Sequence, residues 1–224
     1  MPPECFRDPN HFPPLSKLPM AVQERTPPPA GVRRRCFVGE VTKLWTPNHY
    51  HTKLIARDLE GSEAEIGCSF PVDAAPGLDA IHLLQPGVTI LILDACVDML
   101  FSGEIGIEIR DASLLKILPF GTKSLVSLNN AVPEFTSVAG GIRCFGCHQR
   151  KAPELMNVCP QCEFVSFCNR SCQREGWSRG GHGFDCAILR DYDLQVMFHG
   201  DWNSLDRFAS VYLNVPMPSR PIWV

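Results

Sequence analysis

Between Cys144 and Cys186 the chain reads Cys144-x2-Cys147, Cys159-x2-Cys162, Cys168-x3-Cys172 and His182-x3-Cys186. Seven of its eleven cysteines fall in this stretch, and a histidine brings the soft donors to eight. Eight donors satisfy two tetrahedral zinc ions and leave no position for water or substrate; closed sites of this kind are structural, whereas catalytic zinc keeps one position open. A Cys-x2-Cys pair on a tight knuckle aims two thiolates at one ion, and donors four residues apart share one face of a helical turn. A disulfide framework fits poorly. Seven is an odd number, and the opening MPPECFRDPN has no apolar core that would mark a secretory leader. His148, beside Cys147, is the other candidate for the eighth ligand. Only His182 completes a donor pair with Cys186 at helical spacing.

Within this segment Phe167 precedes the fifth cysteine, Gln173 follows the sixth, and Trp177 stands four residues after the glutamine. On these residues the segment resembles a MYND-type zinc finger, and the glutamine and tryptophan separate it from the related HIT type. The resemblance implies interleaved metal sites, Cys144, Cys147, Cys168 and Cys172 on one ion and Cys159, Cys162, His182 and Cys186 on the other. Spacing alone leaves sequential pairing open. It also implies a peptide groove with Gln173 and Trp177 as contacts, and with Phe164 to Phe167, Val165 and Phe167 among them, as the strand offered for pairing. Four features depart from the family pattern. Asn169 and Gly176 replace a common serine and acidic residue, Pro160 stands where a serine that contacts ligand follows the third cysteine, and Ser178 to Gly181 lengthens the approach to the histidine.

The remaining residues bound the rest of the chain. At 224 residues, 45% hydrophobic and 20% charged, it has the composition of a globular protein with room for one medium and one small domain. The longest apolar run, Val88 to Leu93, is far too short to span a bilayer. With no apolar core in the opening residues, a reducing compartment is expected, nucleus or cytoplasm. Cys5, Cys36, Cys68 and Cys96 have no ligand spacing and read as small hydrophobes.

Nine of the twenty prolines precede residue 32, so residues 1–31 are expected to be a disordered proline-rich arm. Its Pro13-Pro14-Leu15-Ser16-Lys17-Leu18-Pro19 run is a candidate for docking on the chain's own finger. Residues 32–120 carry alternating and β-branched runs at Cys36–Leu44, Thr52–Asp58, Glu63–Phe70, Val88–Leu93, Glu104–Arg110 and Leu114–Leu118, with a short helical piece near Leu78–Leu84. Three strands, a helix and further strands is the order of an OB-like antiparallel β-barrel; another small barrel or sandwich is the alternative. Residues 121–143 read as a linker. Residues 187–224 read as a helical extension, one helix over Ile188–Phe198 and another on Leu205, Phe208, Ala209 and Tyr212 with Asn203 or Ser204 as its cap. The expected class is therefore α+β: a small OB-like barrel, a two-zinc finger at 144–186, and short C-terminal helices.

No nucleophile with a base, glycine-rich phosphate loop or open metal site is in view. Glu104 and Glu108 lie on one strand face, which solvation explains as well as acid–base work. The expectation is a non-enzymatic zinc-binding adaptor whose finger captures proline-rich peptides of partner proteins, with a role in transcriptional regulation. The alternative is single-strand binding by the barrel, with Trp45 and Tyr50 stacking bases. From Gly31 to Gly121, however, eight basic residues face twelve acidic ones, a poor match for phosphate.

Overall fold

The computed structural model describes residues 6, 8–21, 35–48, 51–69, 83–100, 102–136, 140–199 and 205–213. They divide into two compact units, one of Phe6–Leu125 with Asp201–Leu213, the other built on Val126–Gly200. Among them no helix is long and apolar enough to cross a membrane.

The first unit is a closed barrel. Strands β1 (Cys36–Asn48), β2 (His51–Asp58) and β3 (Glu63–Cys68) form an antiparallel meander. β3 then pairs in parallel with β6 (Ile105–Ile109), β6 pairs with β5 (Val97–Met99), and β4 (Thr89–Leu93) returns to β1. Only Asp94–Cys96 separates β4 from β5, and Asp94 takes φ 50°, so the two act as one bent strand that closes the ring. This is the five-stranded Greek-key arrangement of an OB fold. β7 (Leu115–Leu118) extends it beyond β4. The expected helix near Leu78 lies almost wholly outside the described residues.

Alternation decides which side chains fill the barrel. Phe37, Val41, Leu54, Ala56, Ala64, Ile66, Ile90, Ile92, Ile107 and Ile109 form its core, all buried. Every residue of β4 is buried, as its continuous apolar run requires.

Three expectations change. Residues 8–21 are not a free arm. Phe12 and Leu18 are buried, as is Phe6. Cys36 N donates to His11 O at 2.7 Å, Leu15 N to Asp58 Oδ2 at 2.9 Å, and Val97 N to Pro19 O at 2.8 Å. Two phenylalanines and a leucine offset the ordering cost that proline already reduces. The stretch 205–213 is not a helix either. Ile117 N donates to Val211 O at 2.7 Å and Leu213 N to Ile117 O at 3.1 Å, which covers the outer edge of β7. An unpaired strand edge outcompetes the weak helical pattern. Its proposed cap, Asn203 or Ser204, lies outside the described residues.

The third change is the linker, which is largely a helix, α1 (Thr122–Thr136). Its start is held by Glu40, whose Oε2 accepts from Thr122 N at 2.9 Å and from Thr122 Oγ1 at 3.1 Å. A carboxylate suits the positive end of a helix.

Among its described residues the second unit has four strands of two residues each, β8 (Ile142–Arg143), β9 (Arg150–Lys151), β10 (Asn157–Val158) and β11 (Ser166–Phe167). Three helices follow, α2 (Arg170–Ser178), α3 (His182–Leu189) and α4 (Tyr192–His199). The single expected helix over Ile188–Phe198 is thus divided between α3 and α4. Leu128, Val132 and Phe135 of α1 close an apolar seam with Phe145, Phe164 and Leu189.

Candidate metal centre

Two knuckles of the same construction carry the first four cysteines. In one, between β8 and β9, His148 N donates to Cys144 O at 2.9 Å; in the other, between β10 and β11, Glu163 N donates to Cys159 O at 2.9 Å. The residue after each second cysteine, His148 or Glu163, is left-handed, at φ 60° and 59°. β11 ties the knuckles together: Cys159 N donates to Val165 O at 2.8 Å and Phe145 N to Ser166 O at 3.0 Å.

The helices bring the other donors. Asn169 caps α2 by accepting from Cys172 N at 2.9 Å, which fixes the turn that presents Cys172. Gly181, at φ 78°, starts α3, so the longer approach to His182 is absorbed by a left-handed glycine. Gly146 permits the first knuckle to lie against α2, since a Cβ there would stand 2.2 Å from Cys172 O. Gln195 of α4 donates to Cys162 O at 3.3 Å and to Leu189 O at 2.9 Å.

The result is two clusters, Cys144 with Cys147, Cys168 and Cys172, and Cys159 with Cys162, His182 and Cys186; within each, the donor atoms lie within 4.8 Å of one another. Cys147 and Cys168 Sγ are 3.7 Å apart, Cys159 and Cys186 Sγ 3.8 Å, and Cys162 Sγ and His182 Nε2 3.9 Å. A zinc–sulfur bond of about 2.3 Å gives a tetrahedral edge of about 3.8 Å. The donors are therefore spaced for zinc, and each cluster can hold one ion. The interleaved pairing holds. His148 is exposed and belongs to neither cluster.

The surroundings favour the ligand forms of Cys144, Cys159 and His182. Burial, with the neighbouring cysteines, instead pushes the thiols of Cys162, Cys168, Cys172 and Cys186 up, so that these four give up their protons to a metal rather than in advance of it. Burial pushes the Cys144 thiol up, but backbone N–H groups at Cys147, Cys168 and Gly146 outweigh it and bring it down to about 7. Burial lowers His182 to about 4, which keeps the imidazole neutral, as metal ligation requires.

With both clusters in place, the comparison with known families falls on this segment. The family model of the MYND finger matches residues 143–186. Residues 143–186 form a MYND finger. Mouse histone-lysine N-methyltransferase Smyd1 is 35% identical over 49 residues, which cover 22% of this chain and 9% of that protein. The chain thus spans under a tenth of that relative. Two solved fission-yeast structures also align with the chain. The S. pombe Stn1–Ten1 complex covers 44% of this chain and 68% of its own, at 13% identity and TM-score 0.31. Schizosaccharomyces pombe Pot1pC bound to single-stranded DNA covers 47% and 84%, at 13% identity and TM-score 0.29.

The expected peptide contacts of the MYND finger separate into two groups. Trp177 is 43% exposed and Gln173 is half-buried. Val165 and Phe167 are both buried and offer no side chain to a ligand. Nor is the strand 164–167 available for pairing, because β10 takes one edge and Cys144–Phe145 the other. The outer side of β10, flanked by exposed Leu155 and Val158, is paired with no other described strand. The sequence reading missed Phe145 and Gly146, and marked Gly176 only as a departure from the family pattern. A phenylalanine and a glycine inside the first knuckle, Cys-Phe-Gly-Cys, were the available signal.

Proposed function

We propose that the chain is a non-enzymatic adaptor whose MYND finger docks proline-rich peptide segments of partner proteins, in the setting of transcriptional regulation. The observation that carries this reading is the pair of clusters, each with a full set of four protein donors, beneath an exposed tryptophan. Metal held that way scaffolds a surface and leaves no open coordination position for a substrate. Trp177 and Gln173 supply an aromatic face and an amide on α2. An extended peptide reaching across to the hairpin pairs with the outer edge of β10, where Leu155 and Val158 give it apolar contacts.

The decisive experiment is capture of proline- and leucine-containing peptides by the full chain. Trp177→Ala abolishes capture while metal analysis in excess zinc still finds two ions per chain; undiminished capture by the variant sinks the proposal. Single-strand binding by the barrel has weaker support. Lys53 is engaged by Glu65 and Glu104, Arg57 by Glu63 and Arg110 by Asp98, and Lys116 is buried. A pocket of about 610 Å³ on the barrel sets four carboxylates, Asp94, Asp98, Glu108 and Asp111, against one cation, Arg110, the wrong sign for a phosphate backbone. Oligonucleotide affinity that falls steeply with salt would restore that reading.

A further inference from the structure

His182 is fully buried. Its Nε2 faces the second cluster, 3.9 Å from Cys162 Sγ, while its Nδ1 is buried without a hydrogen-bond partner. A metal-ligating histidine ordinarily donates that second N–H to a carboxylate, a carbonyl or water, which fixes the tautomer and the angle of the ring. Here aromatic rings stand around the imidazole instead. Phe145, Phe167 and Trp177 lie 5.0, 5.4 and 5.6 Å from it, centroid to centroid, at interplanar angles of 54°, 70° and 78°.

The helices are cut to admit these rings. A Cβ at Gly176 would come 2.8 Å from Phe167 and 3.1 Å from Phe145, and one at Gly183 would come 3.3 Å from the Trp177 indole. Gly176, a departure from the family pattern, is thereby explained. Phe145 and Phe167 are buried core, whereas Trp177 meets the imidazole edge to face and is still 43% exposed.

We propose that Trp177 is a positioning residue for His182, its indole holding the imidazole on the second cluster where a hydrogen-bond partner ordinarily would. The same side chain then has two roles. It offers a face to the docked peptide, and it sets how firmly the second cluster keeps its ion. Peptide and metal are linked through it, each strengthening the other by the same factor. The peptide half rests on the docking function proposed above; the positioning half does not.

The first cluster is the internal control, because its four donors are cysteines and it has no imidazole to orient. Cobalt(II) loaded into the full chain reports the two clusters separately, since all-sulfur and sulfur-plus-nitrogen sites absorb differently. In a chelator challenge, Trp177→Ala loses the ion of the Cys159–Cys162–His182–Cys186 site roughly ten- to a hundredfold faster, with the all-cysteine site unchanged. Trp177→Phe, which keeps a ring against His182, restores most of the retention. Equal acceleration at both sites, or at neither, overturns the proposal. Addition of a captured peptide to the wild-type chain slows loss from the histidine-containing site alone. If Trp177→Ala has its effect but peptide has none, the docking function falls and the positioning role stands.

Discussion

In the barrel, β1 alone runs thirteen residues, and eighteen buried side chains form one cluster behind the strands. In the MYND finger each of the four strands has two residues. Strands that short cannot hold one another by ladder bonds, and α2 and α3 have nine and eight residues, too few to stand alone. What the barrel draws from burial over a long meander, the finger draws from eight donors that cross-link segments up to 28 residues apart, Cys144 to Cys172 and Cys159 to Cys186 among them. Metal affinity there is folding free energy, so the two units should fail by different routes.

Stripping the metal is the largest perturbation, on the order of 10–16 kcal/mol for each ion. Hydrogen exchange on the full chain should show protection lost across residues 142–199 and kept across β1 to β7. Finger amides that stay protected without metal would erase the contrast. Next comes Gly146→Ala. Its Cβ would meet the Cys172 carbonyl, which is backbone and cannot step aside, so metal analysis should find the all-cysteine site empty while the barrel melts as before. In the barrel, Ile90→Ala removes a fully buried side chain from the core and should cost about 2–5 kcal/mol. The zinc content should not change, and metal loss would mean the units share their stability. The smallest effect is Asn169→Ala, which removes the cap on Cys172 N. A cost of about 1 kcal/mol should appear as weaker metal retention in the finger and no shift in the barrel's unfolding transition.

The donor set was legible because metal ligands come in local pairs, and a pair two or four residues apart has its geometry written into the backbone between them. The barrel was legible for a similar reason: alternation at Ala64, Ile66 and Cys68 and the apolar run of β4 state which faces are buried. The helix α1 was readable in principle, from Leu125, Leu128, Val132 and Phe135 at helical spacing, but Pro133 and the polar Asn129-Asn130 pair obscured it. The strand-like course of 211–213 was not readable at all. Its residues carry a helical period, and only the open edge of β7 makes the extended form win.

The sequence by itself determined the ligands, the zinc chemistry, and the apolar faces that close a barrel. Tertiary structure alone decided which cysteines share an ion, that Val165 and Phe167 face inward, that residues 8–21 lie on the barrel, and that rings surround His182. The division has one physical cause. Spacing constrains groups joined by a few rigid peptide units, whereas partners such as Cys144 and Cys168, or Cys36 and His11, meet only because every other segment competes for the same edges and volumes.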